Sequence, residues 1–359
     1  MTVLQTIAVA FAMFSALPVP QFGWNEKNMR YAMCAFPLIG LVCGGLWCLC
    51  GVLPLPELAR AAAFCLVPVA VTGGIHLDGY ADTSDALSSY GDREKKLEIL
   101  KDSHCGAFAV IRLCCYFVAY FGLCGSVRFT PRAGLCWTLA LVLERALSGF
   151  AVAAFPLAKD TGLAHTFATA ADKQTVCRFL CGLSALLILG LTALGGGGLA
   201  AAALLALWRY DFVAKKQFGG ITGDLAGWFL QRAELWMLAA LAVSQWGGVL
   251  YMMFITGPLY SGKRTFARNF RGSVIADVQD SAAETQTPEQ LETLARELAE
   301  YDIVIATEVG GGVVPMDAEE RAGREAAGRL ACLLAERADC VVQMFCGIPT
   351  VLKGELPQC

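Results

Sequence analysis

The sequence predicts an all-α polytopic membrane bundle of about six to eight apolar helices over residues 1–250, followed by a small α/β domain over residues 251–359. Three observations carry this reading. Hydrophobic residues make up 56% of the 359 and charged residues 16%, with a mean hydropathy of +0.55, a balance that belongs to chains buried in lipid. Charge is sparse up to residue 250 and dense over the Ala/Glu/Arg-rich stretch 263–339. The C-terminal part alternates short apolar runs with helical patterns, which is the order of a parallel sheet. The net charge of −3 averages two unlike halves and points to no nucleic-acid partner.

Taken in order, residues 2–18 form an apolar run stopped by Pro18 and Pro20. The run is short of the roughly 20 residues a span needs, so it reads as an interfacial helix or a tilted span. Residues 30–53 and 57–77 are spans separated by Pro54-Leu55-Pro56, and 107–126 and 133–155 are the next pair. A polar loop covers 156–177. Residues 178–213 are long enough for a hairpin turning at Gly195–Gly198, and 214–234 read as a loop carrying Lys215 and Lys216. The last apolar run, 235–250, contains Gln245, Gly247 and Gly248 and reads as interfacial or re-entrant. Lys and Arg concentrate in 93–101, 156–177 and 209–233, which places these three regions together on the cytoplasmic face of the cell (inner) membrane. The sixteen cysteines lie mostly inside apolar runs without zinc spacing and read as reduced packing residues. Residues 1–17 show no secretory signal. Oligomer formation is left open.

The chemistry concentrates in residues 73–106, where Asp78, Asp82, Asp85, Asp92, Glu94, Glu98 and Asp102 sit between apolar runs. Each charge costs roughly 2.5–3.5 kcal/mol at a bilayer centre, so the stretch must form a polar cap where spans meet water. Asp78, Asp82 and Asp85 share one face if the segment is helical. Converging carboxylates repel unless a cation separates them, and hard oxygen donors beside a phosphate substrate favour Mg²⁺. A solvated acidic loop would carry the same residues without chemistry; Gly73, Gly74, Gly79, Gly106 and Lys101-Asp102-Ser103 argue for a site. Lys101 offers a point charge for phosphate and Ser103 a hydrogen-bond donor. Asp102 is a further ligand or orients Lys101. His76 is expected to face away from Asp78 and to serve in packing or support. A second motif, Gly219-Gly220-Ile221-Thr222-Gly223-Asp224, offers glycine backbone for phosphate approach and two polar ligands.

The run Gly73–Leu87, Leu100–Ser103 with Gly106, the Leu17–Pro20 and Phe36–Gly40 segments, and Gly219–Asp224 together resemble the cobalamin synthase family of membrane-bound adenosylcobinamide-GDP ribazoletransferases, over roughly residues 5–250. The resemblance implies a transferase of the last steps of cobalamin biosynthesis. It would join adenosylcobinamide-GDP to α-ribazole, or its 5′-phosphate, with release of GMP, in contact with membrane lipid. Asp78, Asp82 and Asp85 would hold Mg²⁺. Asp85 or Asp102 would orient it or act as base, and the two roles stay open. Gly74, His76, Ser103, Gly219, Gly220, Thr222 and Asp224 would contact substrate. A corrinoid-binding or transport protein is the alternative from another class.

The C-terminal part opens with an apolar run, 251–256, and then Gly257, Gly262 and Lys263 at G-x-x-x-x-G-K spacing, a P-loop-like nucleotide-binding pattern. Arg264 stands where the metal-binding hydroxyl belongs, with Thr265 one place later. This segment, 307–315 and Gly347-Ile348-Pro349 resemble adenosylcobinamide kinase/guanylyltransferase, which would make the chain a bifunctional fusion. No histidine follows His165, so the nucleophile expected to carry GMP is missing, and a degenerate domain is expected.

Overall fold

The computed structural model describes residues 2–23, 25–102, 104–159, 163–246, 252–270, 272–283, 287–311 and 313–356. The chain forms two compact units, Met1–Gly247 and Gly248–Cys359.

In the first unit α1 (Thr2–Phe14) is followed by the single turns α2 (Glu26–Met29) and α3 (Ala32–Ala35), then α4 (Pro37–Val52) and α5 (Glu57–Thr72). Pro37 sits at the first turn of α4, where its missing N–H is no loss. The two helices join through the stacked rings of Trp47 and Phe64, with centroids 3.8 Å apart. Gly73 and Gly74 follow at φ +66 and +83, a left-handed pair that only glycine adopts freely. The chain turns 94° there into α6 (Ile75–Ser88). The acidic segment is thus a helix, the condition under which Asp78, Asp82 and Asp85 were expected to share a face, with His76, Gly79, Tyr80 and Ser84 buried.

Next come α7 (Arg93–Ile99), capped by Asp92, α8 (Ala107–Ser126) and α9 (Pro131–Ala154), which is capped by the Thr130 side chain. After α10 (Leu163–Ala170), α11 (Lys173–Ala193) and α12 (Gly197–Val213) make the expected hairpin, closed by Gly195 at φ +75. A π-helical turn, Ala214–Phe218, leads to α13 (Gly223–Trp246). Half of the stretch read as a loop is therefore helix, and 235–246 continues it. Among the described residues four helices are long and apolar enough to cross a membrane, or up to six if each bent pair is one span. That is fewer than the upper expectation, because α1 has 13 residues and α13 carries Asp224, Arg232 and Glu234.

Helix α9 is the centre of the bundle and packs against α4, α11, α12 and α13. It is buried along most of its length although it holds Glu144 and Arg145. Arg145 donates to Glu144, to the Leu141 carbonyl oxygen at 3.1 Å and to Glu234 Oε1 of α13 at 3.3 Å. All three charged side chains are shut off from solvent. A charge at such a place is tolerated only when paired, because a lone ion would keep its full desolvation cost.

The second unit holds β1 (Met253–Thr256), α14 (Lys263–Ala267), β2 (Val274–Ala276), α15 (Val278–Ala283), α16 (Pro288–Leu298), β3 (Ile303–Ile305), α17 (Ala318–Arg337), β4 (Cys340–Phe345) and β5 (Ile348–Lys353). The sheet order is β2-β3-β1-β4-β5. The first four strands are parallel, as expected, but β5 is antiparallel to β4, so the sheet is mixed. One core lies under α15, α16 and α17, with Leu291, Leu298, Leu330 and Leu334 against the sheet. A capping box between Thr287 and Gln290 starts α16.

The α4–α9 contact gives a paired test. A Cβ at Gly40 would overlap the Leu141 carbonyl, whereas one at Gly45 on the same helix meets nothing within 4 Å. Gly40→Ala should lower stability by about 1–3 kcal/mol, the usual cost of overpacking. Gly45→Ala should be neutral or stabilising by up to about 1 kcal/mol. Thermal unfolding of the two purified variants in one detergent reads the difference; equal midpoints would count against backbone contact between α4 and α9.

Candidate active site

Helices α6 and α13 cross with two glycines in the contact. A Cβ on Gly79 would come within 2.7 Å of the Asp224 carbonyl oxygen, and one on Gly227 within 2.9 Å of the His76 carbonyl oxygen. The crossing brings the start of α13 to the side of α6, so two polar segments far apart in sequence share one wall. A third segment joins them through backbone pairing. Ile221 N–H donates to the Pro156 oxygen at 2.8 Å and Ala158 N–H to the Ile221 oxygen at 2.9 Å. Gly220 permits this approach, since a Cβ there would lie 2.5 Å from the Leu157 carbonyl carbon.

A cavity of about 580 Å³ opens at this junction. Phe14, Met33, Phe36, Phe167 and Leu230 make it apolar on one side. His76, Asp78, Lys101, Lys159, His165, Thr222 and Asp224 line it elsewhere. Thr222 caps α13, accepting from Leu225 N–H at 3.2 Å, and lies 3.3 Å from an Asp224 carboxylate oxygen. Burial pushes the Asp224 carboxyl above the ordinary range, opposed mainly by Lys159 and the Thr222 hydrogen bond. Burial likewise lowers Lys159, and Asp224 works against that shift while Lys101 adds to it. His76 is buried, its Nε2 has no hydrogen-bond partner, and its ring meets Phe36 edge-on at 5.9 Å.

Five residues expected in the site thus converge: His76, Asp78, Lys101, Thr222 and Asp224. His76 does not turn away from Asp78 but lines the same cavity, because the cavity wraps the first turn of α6. Asp82 lies in an adjoining cavity of about 500 Å³ with Gly74 and Asp78, so Asp78 borders both. The charge of Asp82 is opposed first by burial and then by Asp78, Asp224 and Asp85, in falling order.

The remaining residues are placed otherwise. The Asp85 carboxylate sits against Gly106, the cap of α8, at the positive end of that helix, and lines neither cavity. Asp102 accepts from His104 N–H at 3.0 Å, with His104 Nδ1 at 2.7 Å. Gly74 makes the turn into α6. Gly219, at φ +75, caps the π-helical turn, and Gly220 N–H donates to the Ala214 oxygen at 3.0 Å, so neither glycine presents its backbone to the cavity. Ser103 lies outside the described residues. Lys159 and His165 line the cavity without having been singled out; the polar 156–177 loop was the signal, but only the pairing of Pro156–Ala158 with Ile221 fixes its place.

Among the described residues no group of three or more His, Cys, Asp or Glu side chains is placed to hold a metal ion. Asp78, Asp82 and Asp224 lie near enough for their charges to act on one another.

In the second unit Lys263 Nζ donates to the Gly257 and Pro258 carbonyl oxygens of its own loop, at 2.9 and 2.6 Å. Burial lowers its pKa. Arg264 pairs with Asp277. The glycine–lysine loop is therefore closed on itself, and α14 behind it has five residues.

The first unit is thus a helical bundle with several helices apolar enough to cross a membrane and a cavity lined by carboxylates and lysines. The chain belongs to the cobalamin-5-phosphate synthase family, whose model matches residues 6–242. Residues 272–352 match the cobinamide kinase / cobinamide phosphate guanyltransferase family model, which begins after the glycine–lysine loop. The chain is 43% identical over 258 residues to an adenosylcobinamide-GDP ribazoletransferase of Lachnoclostridium phytofermentans, covering 69% of this chain and 96% of that protein. Proteins of the same name from Clostridium perfringens, 32% identical over 67% of this chain and 98% of theirs, and Roseiflexus, 34% over 66% and 89%, are also similar. The chain is an enzyme of this family.

Two outcomes follow from the geometry. Gly79→Val should separate α6 from α13, lowering the thermal midpoint and activity together; a variant with unchanged midpoint and activity would show that the crossing has slack. Lys159→Met removes the main charge that holds Asp224 down, so the Asp224 titration should move upward. An acid limb of the activity profile that stays where the wild type has it would rule out this coupling.

Proposed function

We propose that the chain joins adenosylcobinamide-GDP to α-ribazole, or its 5′-phosphate, with release of GMP, at the cytoplasmic face of the cell's inner membrane. The observation that carries this is one cavity holding two lysines for phosphate, carboxylates for a cation and a proton, and an aromatic wall for the planar base. A ribose hydroxyl attacks the phosphorus on the cobinamide side of the phosphoanhydride. The new P–O bond forms as the bond to the bridging oxygen breaks, and that electron pair leaves on GMP. Lys101 and Lys159 hold phosphate oxygens during the exchange. Asp224 takes the hydroxyl proton, since a carboxyl raised by burial is a better base near neutral pH than an ordinary one. Asp78 and Asp82 are the residues that would hold Mg²⁺, which when bound supplies positive charge beside the leaving phosphate. Phe14, Phe36 and Phe167 exclude water from the base. Asp85 and Asp102, the sequence-based choices for the base, are less suited, because their carboxylates are held at the start of α8 and by His104.

The match over 272–352 favours a second reading, a fusion that also activates cobinamide. Against it stand the self-bonded Lys263 and the lack of any histidine after His165.

Asp82→Ala should reduce ribazole transfer by about a hundredfold or more, the scale of removing one group that acts on transition-state charge, with membrane content unchanged. Activity within a few-fold of wild type would remove Asp82 from the site. The full chain incubated with radiolabelled GTP should carry no stable GMP and should not phosphorylate cobinamide; either product would establish the fusion reading.

A further inference from the structure

On the other side of α6 lies a second cavity, of about 510 Å³, lined by residues of α6, α8, α12, the π-helical turn and α13. Its character is the reverse of the first. Arg112, Arg209, Lys216 and Arg232 line it, and no carboxylate does among the described residues. The nearest acidic side chain on α12, Asp211, is engaged by Lys215 at 2.7 Å. Arg232 is held between the rings of Trp228 and Trp236, at 5.0 and 5.1 Å, and its Nε, closed to solvent, has no hydrogen-bond partner. Arg112 and Arg209 are near enough for their charges to act on Arg232.

Four cations around one space repel one another, and an unpaired buried guanidinium N–H carries a desolvation cost. An arrangement of this kind is stable when an anion with several oxygens occupies it. Guanidinium forks match phosphate oxygens in pairs, and three arginines beside a lysine suit a group of charge near −2 better than a single carboxylate. Ser84, Ser88 and Gln217 add neutral hydrogen-bonding groups, and Trp228 and Tyr80 give an apolar flank.

We propose that this cavity is a phosphate-binding site distinct from the transfer site. Tyr80, Ser84 and Ser88 face it, while Asp78 and Asp82 border the other two cavities, so a phosphate here is not the one being transferred. The phosphate belongs either to an anionic lipid headgroup or to a free phosphate compound. Arg112 lies in the second turn of α8 and Arg209 within the continuous helical stretch Gly197–Phe218, and both side chains are exposed, so either source can reach them.

The test uses the full chain in detergent and its Arg112→Gln/Arg209→Gln variant, with thermal midpoint as readout. One arm adds inorganic phosphate against chloride of equal ionic strength; the other adds phosphatidylglycerol against phosphatidylcholine. Wild type should gain midpoint in at least one arm, and the variant should need about tenfold more probe for the same gain. A gain with inorganic phosphate assigns a free phosphate compound, and a gain with phosphatidylglycerol alone assigns lipid. No gain in either arm, or equal gains in wild type and variant, overturns the proposal. Both substituted arginines are exposed, and Lys216→Gln, also exposed, provides a second variant with the same expected direction.

Discussion

The site depends on how closely α6 and α13 approach. With side chains at Gly79 and Gly227 the two backbones would be forced apart, and Asp78 and Asp224 would no longer share a cavity. The approach has a cost that the same helices offset elsewhere. Glycine lowers helix propensity, and the start of α13 brings Asp224 toward Asp78 and Asp82. The Thr222 cap and Lys159 act against this, and deeper in the bundle Glu234 ties α13 to α9 through Arg145. Position and electrostatics are therefore set by one crossing.

Much of this was readable from residues. The apolar runs gave the α4/α5 and α8/α9 pairs and the α11/α12 hairpin, because lipid-facing length and turn glycines are local signals. The three-to-four spacing of Asp78, Asp82 and Asp85 gave one helix face. What stayed hidden is long-range. Lys159 and His165 enter the cavity only through the pairing of Pro156–Ala158 with Ile221. Asp85 has the right spacing, yet the start of α8 lies opposite it. The first half of α13 was read as part of a loop carrying Lys215, Lys216 and the glycine motif; the reason for Glu234 at its middle lies on another helix, where Arg145 of α9 meets it. Strand β5 is exposed at all six residues, so it shows no alternation for a pattern to detect.

The two units illustrate different relations between motif and chemistry. In the first, residues from several segments with weak individual signals assemble one cavity. In the second, a compact and recognisable spacing, Gly257 to Lys263, is closed by its own lysine. A short pattern reports the backbone turn more reliably than the ligand, since the turn needs only the glycines while binding needs the side chain left available.

The Glu144–Arg145–Glu234 cluster bears on how the bundle is put together in time. Glu144 and Arg145 are neighbours on α9 and travel as a nearly neutral pair, so α9 can enter a bilayer without its later partner. Glu234 is made roughly ninety residues afterwards and has no cation of its own within α13 on the side that faces α9. A lone carboxylate is costly at that depth. Arg145 therefore acts as the partner that receives Glu234, and docking of α13 becomes the step that both gives this carboxylate its cation and brings Asp224 to the reaction cavity.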